Sequence, residues 1–198
     1  MVDLQGAYRN PPEGWTDWDQ VPSVTVDSGN RYDVSWDWLE SQLLSLGDPN
    51  GLDLEPDFQR GHVWTMAQRI AYVEAKARQA IPLGTDYIRW TTPNWIRGTG
   101  VPDGPVIIVD GLQRLTTARM FLRGEIPIFG RTFPEIGGKM RFYMSFKFIV
   151  NELPTRSDVL RWYLELNGGG TPHPVSELVR VRELLEAETG KLRDVGVR

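Results

Sequence analysis

Between Val106 and Leu122 the chain reads VIIVDGLQRLTTARMFL: four apolar residues, an Asp-Gly corner, a Gln-Arg pair, then apolar positions at helical spacing. Such a run predicts a buried strand passing into a helix, and ligands collect where a central strand ends. Gly111 permits close backbone approach or an unusual φ. The helix start offers unpaired N–H groups, and Thr116 and Thr117 add hydroxyls within its first turns, features that attract phosphate. Arg114 supplies a charged, fork-shaped donor matched to phosphate oxygens. Asp110 is the odd member, because an acid repels an anion; it fits a Mg²⁺ ligand, or a base that takes a proton from an acceptor hydroxyl. The competing assignment makes Asp110 a helix cap and leaves Gln113 and Arg114 facing water. No G-x-x-x-x-G-K-[ST] loop occurs anywhere, so the corner is not a Walker A site.

Other candidates flank it. Gln59 and Arg60 precede Gly61 in an extended segment, LDLEPDFQRGHVW (52–64), where Pro56 opposes helix. Arg60 would clamp a second phosphate or pair with the acidic N-terminal region. Asn167, Gly168 and Gly169 offer an amide and bare backbone N–H groups suited to a phosphate or ribose, or they simply stop a helix. Thr171 and His173 would rim the pocket or cap the last helix. Trp64 is expected to pack under the helix it precedes, and Arg119 and Arg123 to form a solvated face.

The elements that must position these residues follow from periodicity. TMAQRIAYVEAKARQA (65–80) is the clearest helix, with Thr65 and Gln68 as a capping box and Ile70, Val73 and Ala77 on one face. SWDWLESQLLSLG (35–47) starts with a Ser cap and stops at Gly47. TDYIRW (85–90) and PVIIVD (105–110) read as strands joined by a Pro/Gly-rich loop holding Trp95 and Arg97, and a helix follows from Leu112 to Leu122. VPSVTV (21–26), EIPIF and MRFYMSFKFIV (140–150) also read as strands. Helices are expected at 155–167, capped by Thr155, and at 174–188. Strands and helices are interspersed without strict alternation, which points to an α+β fold. The expected organisation is an extended arm over 1–20, one domain over 21–190 and a mobile tail over 191–198.

Composition bounds the chemistry. With no cysteine there is no disulfide, thiolate nucleophile or cysteine metal site, and two histidines make a histidine-rich zinc centre improbable. No apolar run approaches 18 residues and no charged-then-apolar leader is visible, so the expectation is no membrane span and a cytoplasmic location. Charge is uneven. Residues 1–56 carry 2 basic and 11 acidic side chains, residues 57–147 carry 13 and 7, and the remainder 7 and 8. A basic middle suits polyphosphate or nucleic acid; alternatively the acidic flank folds over it and neutralises it.

VDGLQRLTTARMF resembles the D-G-Q-Q-R signature of the N-terminal domains of GmrSD-type restriction systems, within the ParB/sulfiredoxin superfamily. PDFQRGHVWT (56–65) is similar to that family's P-x-Y-Q-R-x-Y-V-W element, and YLELNGGGTPHPVSELVRVRELL (163–185) to its later L-N-x-G-G segment. The departures are Leu112 for Gln, Phe58 for Tyr and His62 for Tyr. The resemblance implies a ParB/sulfiredoxin-like mixed sheet with flanking helices, and a nucleoside triphosphate (ATP or GTP) with Mg²⁺ at this corner. Asp110, Gln113 and Arg114 would be catalytic, with Gln59, Arg60, Gly111, Thr116, Thr117, Asn167, Gly168, Gly169 and Thr171 contacting nucleotide. Hence the leading expectation is a phosphoryl-transfer enzyme acting on DNA, as a phage-type kinase of hydroxymethylated pyrimidines would, in bacterial or phage-infected cytoplasm. The alternatives are an NTPase or nucleotide sensor beside a separate nuclease subunit, and a non-catalytic ParB-like DNA clamp, either of which could dimerise. The family's HNH nuclease has no counterpart in these residues.

Overall fold

The structure, a computed structural model, describes residues 13–14, 16–17, 20–21, 26–59, 61–96, 101–137, 139–168 and 175–195. The chain divides into two compact units, Asp27–Glu152 and a terminal unit of Met1–Val26 with Leu153–Arg198. That division falls inside the 21–190 span read as one domain.

The larger unit is built on a five-stranded mixed sheet. In chain order its elements are β1 (Val26–Ser35), α1 (Leu39–Gly47), β2 (Leu52–Asp53), α2 (Met66–Ala77), β3 (Tyr87–Thr92), β4 (Trp95–Ile96), β5 (Val101–Pro102), β6 (Val106–Asp110), α3 (Leu112–Leu122) and β7 (Ser145–Glu152). The sheet order is β1-β7-β3-β6-β2, while β4 and β5 form a small separate hairpin. β3 runs parallel to β7 and antiparallel to β6, and β2 runs parallel to β6. An α+β fold results, with helices against the sheet.

Alternation sets the core. Ile88 and Trp90 of β3, Val106 and Ile108 of β6, and Phe146, Phe148 and Val150 of β7 are all buried in one cluster with Leu39, Val73, Leu115 and Phe121 from the helices. Burying side chains of this size contributes roughly 1.5–3 kcal/mol each. α2 carries the complete capping box expected of Thr65 and Gln68, and Val73 is fully buried with Ile70 and Ala77 packed at the cluster edge. Trp64 packs on Tyr72 of that helix, ring centroids 5.3 Å apart.

Some elements depart from expectation. EIPIF is no strand: Ile128 and Arg131 make only an isolated bridge around Phe129 and Gly130, both at positive φ, so the chain turns before pairing can extend. The strand read from 140 begins at Ser145, because Met144 N–H closes a turn on Arg141 C=O at 2.8 Å. Ser35 does not cap a helix directly; a 3-10 turn over Trp36–Trp38 intervenes before α1, without a side-chain cap. Of VPSVTV, residues 22–25 lie outside the described residues, as does most of the 1–20 arm.

In the terminal unit, α4 (Arg156–Gly168) and α5 (Val175–Val195) pack together. Thr155 Oγ1 accepts from Asp158 N–H at 3.2 Å, as a cap should, and Tyr163 Oη donates to Glu177 at 2.7 Å. α5 extends seven residues past 188, into the span read as a tail.

Candidate functional site

The strand-to-helix corner forms as the sequence pattern implies, and Gly111 explains its shape. The residue has φ +103°, a left-handed conformation that L side chains rarely adopt. A Cβ there would stand 2.6 Å from Ile88 Cδ1 and 3.1 Å from Tyr87 C=O. Both reasons offered for a glycine therefore operate together: positive φ and close approach to β3.

That approach delivers a charged network. In the antiparallel register Arg89 of β3 faces Asp110 of β6. Arg89 Nη1 donates to Asp110 Oδ2 at 2.7 Å, and Arg114 Nη2, one helical turn beyond the acid, donates to the same oxygen at 2.8 Å. Arg114 Nη1 lies 3.5 Å from Asp86 Oδ1. On its other oxygen Asp86 accepts from Tyr72 Oη at 2.5 Å and meets Lys76 Nζ at 3.1 Å, an ion pair off the hydrogen-bond axis. Burial, followed by the Asp86 charge and hydrogen bond, holds the Tyr72 hydroxyl well above the usual phenol range. Asp86 and Lys76 are 3% and 1% exposed, whereas Arg89, Arg114 and Asp110 keep 26%, 24% and 33%. The inner pair is sealed; the outer three reach solvent. Two arginines and a lysine face two aspartates, leaving one net positive charge at the start of α3.

The amides and hydroxyls do different work. Gln113 Oε1 accepts from Val63 N–H (3.2 Å) and Trp64 N–H (3.1 Å), while its Nε2 donates to Gly61 C=O at 3.0 Å. Gln59 Nε2 donates to Ile108 C=O at 2.9 Å. These two glutamines fasten Gln59, Gly61, Val63 and Trp64 along β6 and α3. Thr117 is fully buried; its Oγ1 donates to Gln113 C=O at 2.7 Å and accepts from Arg69 Nη1 at 3.1 Å. Thr116 is half-buried on the same helix. Beside the helix start, Glu55, Pro56, Gln59, Gly61, His62 and Leu112 line a hollow of about 180 Å³. Leu112 gives it an apolar wall.

The corner thus gathers Asp110, Gly111, Gln113, Arg114, Thr116, Thr117 and Gln59 in one unit. The capping alternative does not describe it, because Asp110 engages guanidiniums and α3 has no side-chain cap. Asn167 and Gly168 stand at the end of α4 in the terminal unit, where Asn167 Nδ2 donates to Tyr163 C=O at 2.7 Å. Arg60, Gly169, Thr171 and His173 lie outside the described residues. Among the described residues no group of three or more histidines and acids gathers that could hold a metal by itself.

Arg89, Asp86, Lys76 and Tyr72 were not anticipated as site residues. Two signals pointed to Arg89 and Lys76. Arg89 alternates with buried Ile88 and Trp90 in a central strand, and Arg69, Val73 and Lys76 recur at helical spacing on the buried face of α2. No family model, curated protein or solved structure matches this chain. No helix among the described residues is long and apolar enough to cross a membrane.

Proposed function

We propose that the corner binds the phosphates of a Mg²⁺-nucleoside triphosphate and that the protein is a phosphoryl-transfer enzyme of ParB/sulfiredoxin-like kind, with DNA as acceptor. The observation that carries this reading is the convergence of Arg89 and Arg114 on one partly exposed carboxylate at a helix N-terminus, with net positive charge. A γ-phosphate carries more negative charge than a carboxylate and offers three oxygens to the same donors. It would replace Asp110 on the two guanidiniums. Asp110 would then be free to take the proton of an attacking hydroxyl as that oxygen bonds to the γ-phosphorus and the bond to the β-phosphate oxygen breaks, releasing nucleoside diphosphate. Fixed guanidiniums suit this reaction, whose main demand is preorganised positive charge.

Mg²⁺ fits as a companion of the nucleotide, because it is commonly held by one or two carboxylates plus substrate phosphates rather than by a protein cage. In place of acting as base, Asp110 would be the side chain that holds it, and the ion would supply charge neutralisation. A hydroxymethylated pyrimidine in DNA is the proposed acceptor, on the strength of the basic 57–147 segment.

The test is incubation with each of the four NTPs, labelled at the γ-position, with and without duplex carrying hydroxymethyl pyrimidines. Label in DNA is the expected result. Phosphate release without label in DNA would assign the site to an NTPase. Neither release nor transfer with any NTP would overturn the reading.

A further inference from the structure

α3 ends beside a second feature, roughly 15 Å along the helix axis from Leu112 at 1.5 Å per residue. It is a half-open cavity of about 430 Å³, within the ~300–1,000 Å³ range of ligand pockets. Phe121, Phe133, Ile136 and Tyr143 give it apolar and aromatic walls, and Lys139 and Arg141 also line it. Phe121 and Phe133 brace each other at 5.3 Å between ring centroids.

The surroundings extend the same chemistry. Phe142 is 75% exposed and Phe129 52% exposed. Phe129 is held outward at φ +49°, its N–H donating to Glu74 at 3.0 Å and its ring lying 4.7 Å beneath the Arg78 guanidinium. Arg131, Lys139 and Arg141 are exposed and take part in no ion pair among the described residues. Elsewhere on this unit the acidic N-terminal segment does neutralise basic groups, through Glu40 with Arg119 and Asp33 with Lys147. Here it does not. The single acid between residues 126 and 144, Glu135, is occupied by Thr132 N–H and hydroxyl, which hold its carboxyl below the usual range.

We infer that this face binds single-stranded nucleic acid: one base enters the cavity between Phe133 and Tyr143, neighbouring bases stack on Phe142 and Phe129, and Arg131, Lys139 and Arg141 take backbone phosphates. Aromatic platforms interleaved with free cations are the chemistry by which single strands are held, because every unpaired base presents a π-face. A duplex hides those faces, and a single nucleotide is too small to use two rings outside the cavity and three separate cations. The inference does not rest on phosphoryl transfer at the corner.

Fluorescence anisotropy with a labelled oligodeoxythymidine of about 12 nucleotides, inside the ~4–16 nucleotide span of single-strand sites, tests it on the full chain. The expected result is saturable binding that Phe142→Ala weakens at least about fivefold, as loss of one stacking position does. The paired variant Lys139→Ala/Arg141→Ala should lower the slope of log K against log salt by roughly 1.4, about 0.7 for each phosphate contact on a single strand. Arg114→Ala should bind the oligonucleotide as the parent does, whatever becomes of NTP turnover. Absence of binding, binding unaltered in both surface variants, or equal affinity for duplex of the same length would overturn the inference. So would competition by thymidine monophosphate at the oligonucleotide's own concentration, which would mark a mononucleotide pocket.

Discussion

At the first turn of α3, Arg114 spans two carboxylates, Asp110 at 2.8 Å and Asp86 at 3.5 Å; beyond the last turn, Arg131, Lys139 and Arg141 stand in water without an ion pair among the described residues. The two ends of one helix hold positive charge under opposite conditions. At the corner, internal acids cancel all but one charge and fix the guanidiniums in place, so on the proposed reading an anion takes the place of Asp110. Such an exchange favours a compact ligand of high charge and disfavours weakly charged competitors. At the far end nothing has to be displaced except counterions, so binding there should be broad in sequence and steep in salt. The difference teaches that a basic segment need not be one surface: fixed charge suits chemistry, and solvated charge suits holding a polymer.

The sharpest way to break the contrast is to unpair the corner from within. Lys76→Met keeps the volume of a buried side chain but leaves Asp86, 3% exposed, with Tyr72 and Arg114 alone. Breaking a buried pair costs about 3–5 kcal/mol, read as a fall in the free energy of urea unfolding. A loss below about 1 kcal/mol would mean that Asp86 is adequately held without the lysine. Next, Arg114→Ala should reduce NTP turnover about 100-fold, the scale of losing one preorganised donor at a developing charge. Turnover within about threefold of the parent, roughly 0.7 kcal/mol of barrier, would place the chemistry elsewhere. Gly111→Ala should then cost about 2 kcal/mol of stability, because positive φ strains any other residue and the new methyl meets Ile88 at 2.6 Å. Gln113→Ala removes three hydrogen bonds to the 61–64 segment, partly replaceable by water, for about 1 kcal/mol. Faster amide exchange at Val63 and Trp64 would confirm that the amide is a fastener; turnover lost with unchanged exchange would give it a direct role on substrate.

Local signals carried much of this fold and left its long-range partners unread. The capping box on α2, the apolar run of β6 and the Asp-Gly break before α3 each act within a few residues, so their types and spacing are visible in the chain. Gly111 was legible for the same reason. The partner of Asp110 was not, because Arg89 is 21 positions away and meets it through the β3–β6 register, which sequence spacing does not encode. The partners of Gln113 were hidden for the same reason: beside Arg114 it reads as a catalytic amide or a water-facing one, and its hydrogen bonds run to backbone about 50 residues earlier. Lys76 sat at the spacing of the buried face, but a lysine there reads as an interruption until the aspartate it faces is known.

The smallest expected effect on stability separates the two ends most cleanly. Phe142 is 75% exposed and touches Tyr143 edge-on at 5.5 Å between ring centroids, so Phe142→Ala should change unfolding free energy by no more than about 0.5 kcal/mol. A larger loss would mean that the ring belongs to the core and that its exposure carries no functional weight. If stability holds while oligonucleotide affinity falls, the ring's contribution is to binding rather than folding. Arg114→Ala should give the opposite pair of readings, turnover lost and oligonucleotide affinity kept. A single variant that lost both together would show that the corner and the far end of α3 act as one site.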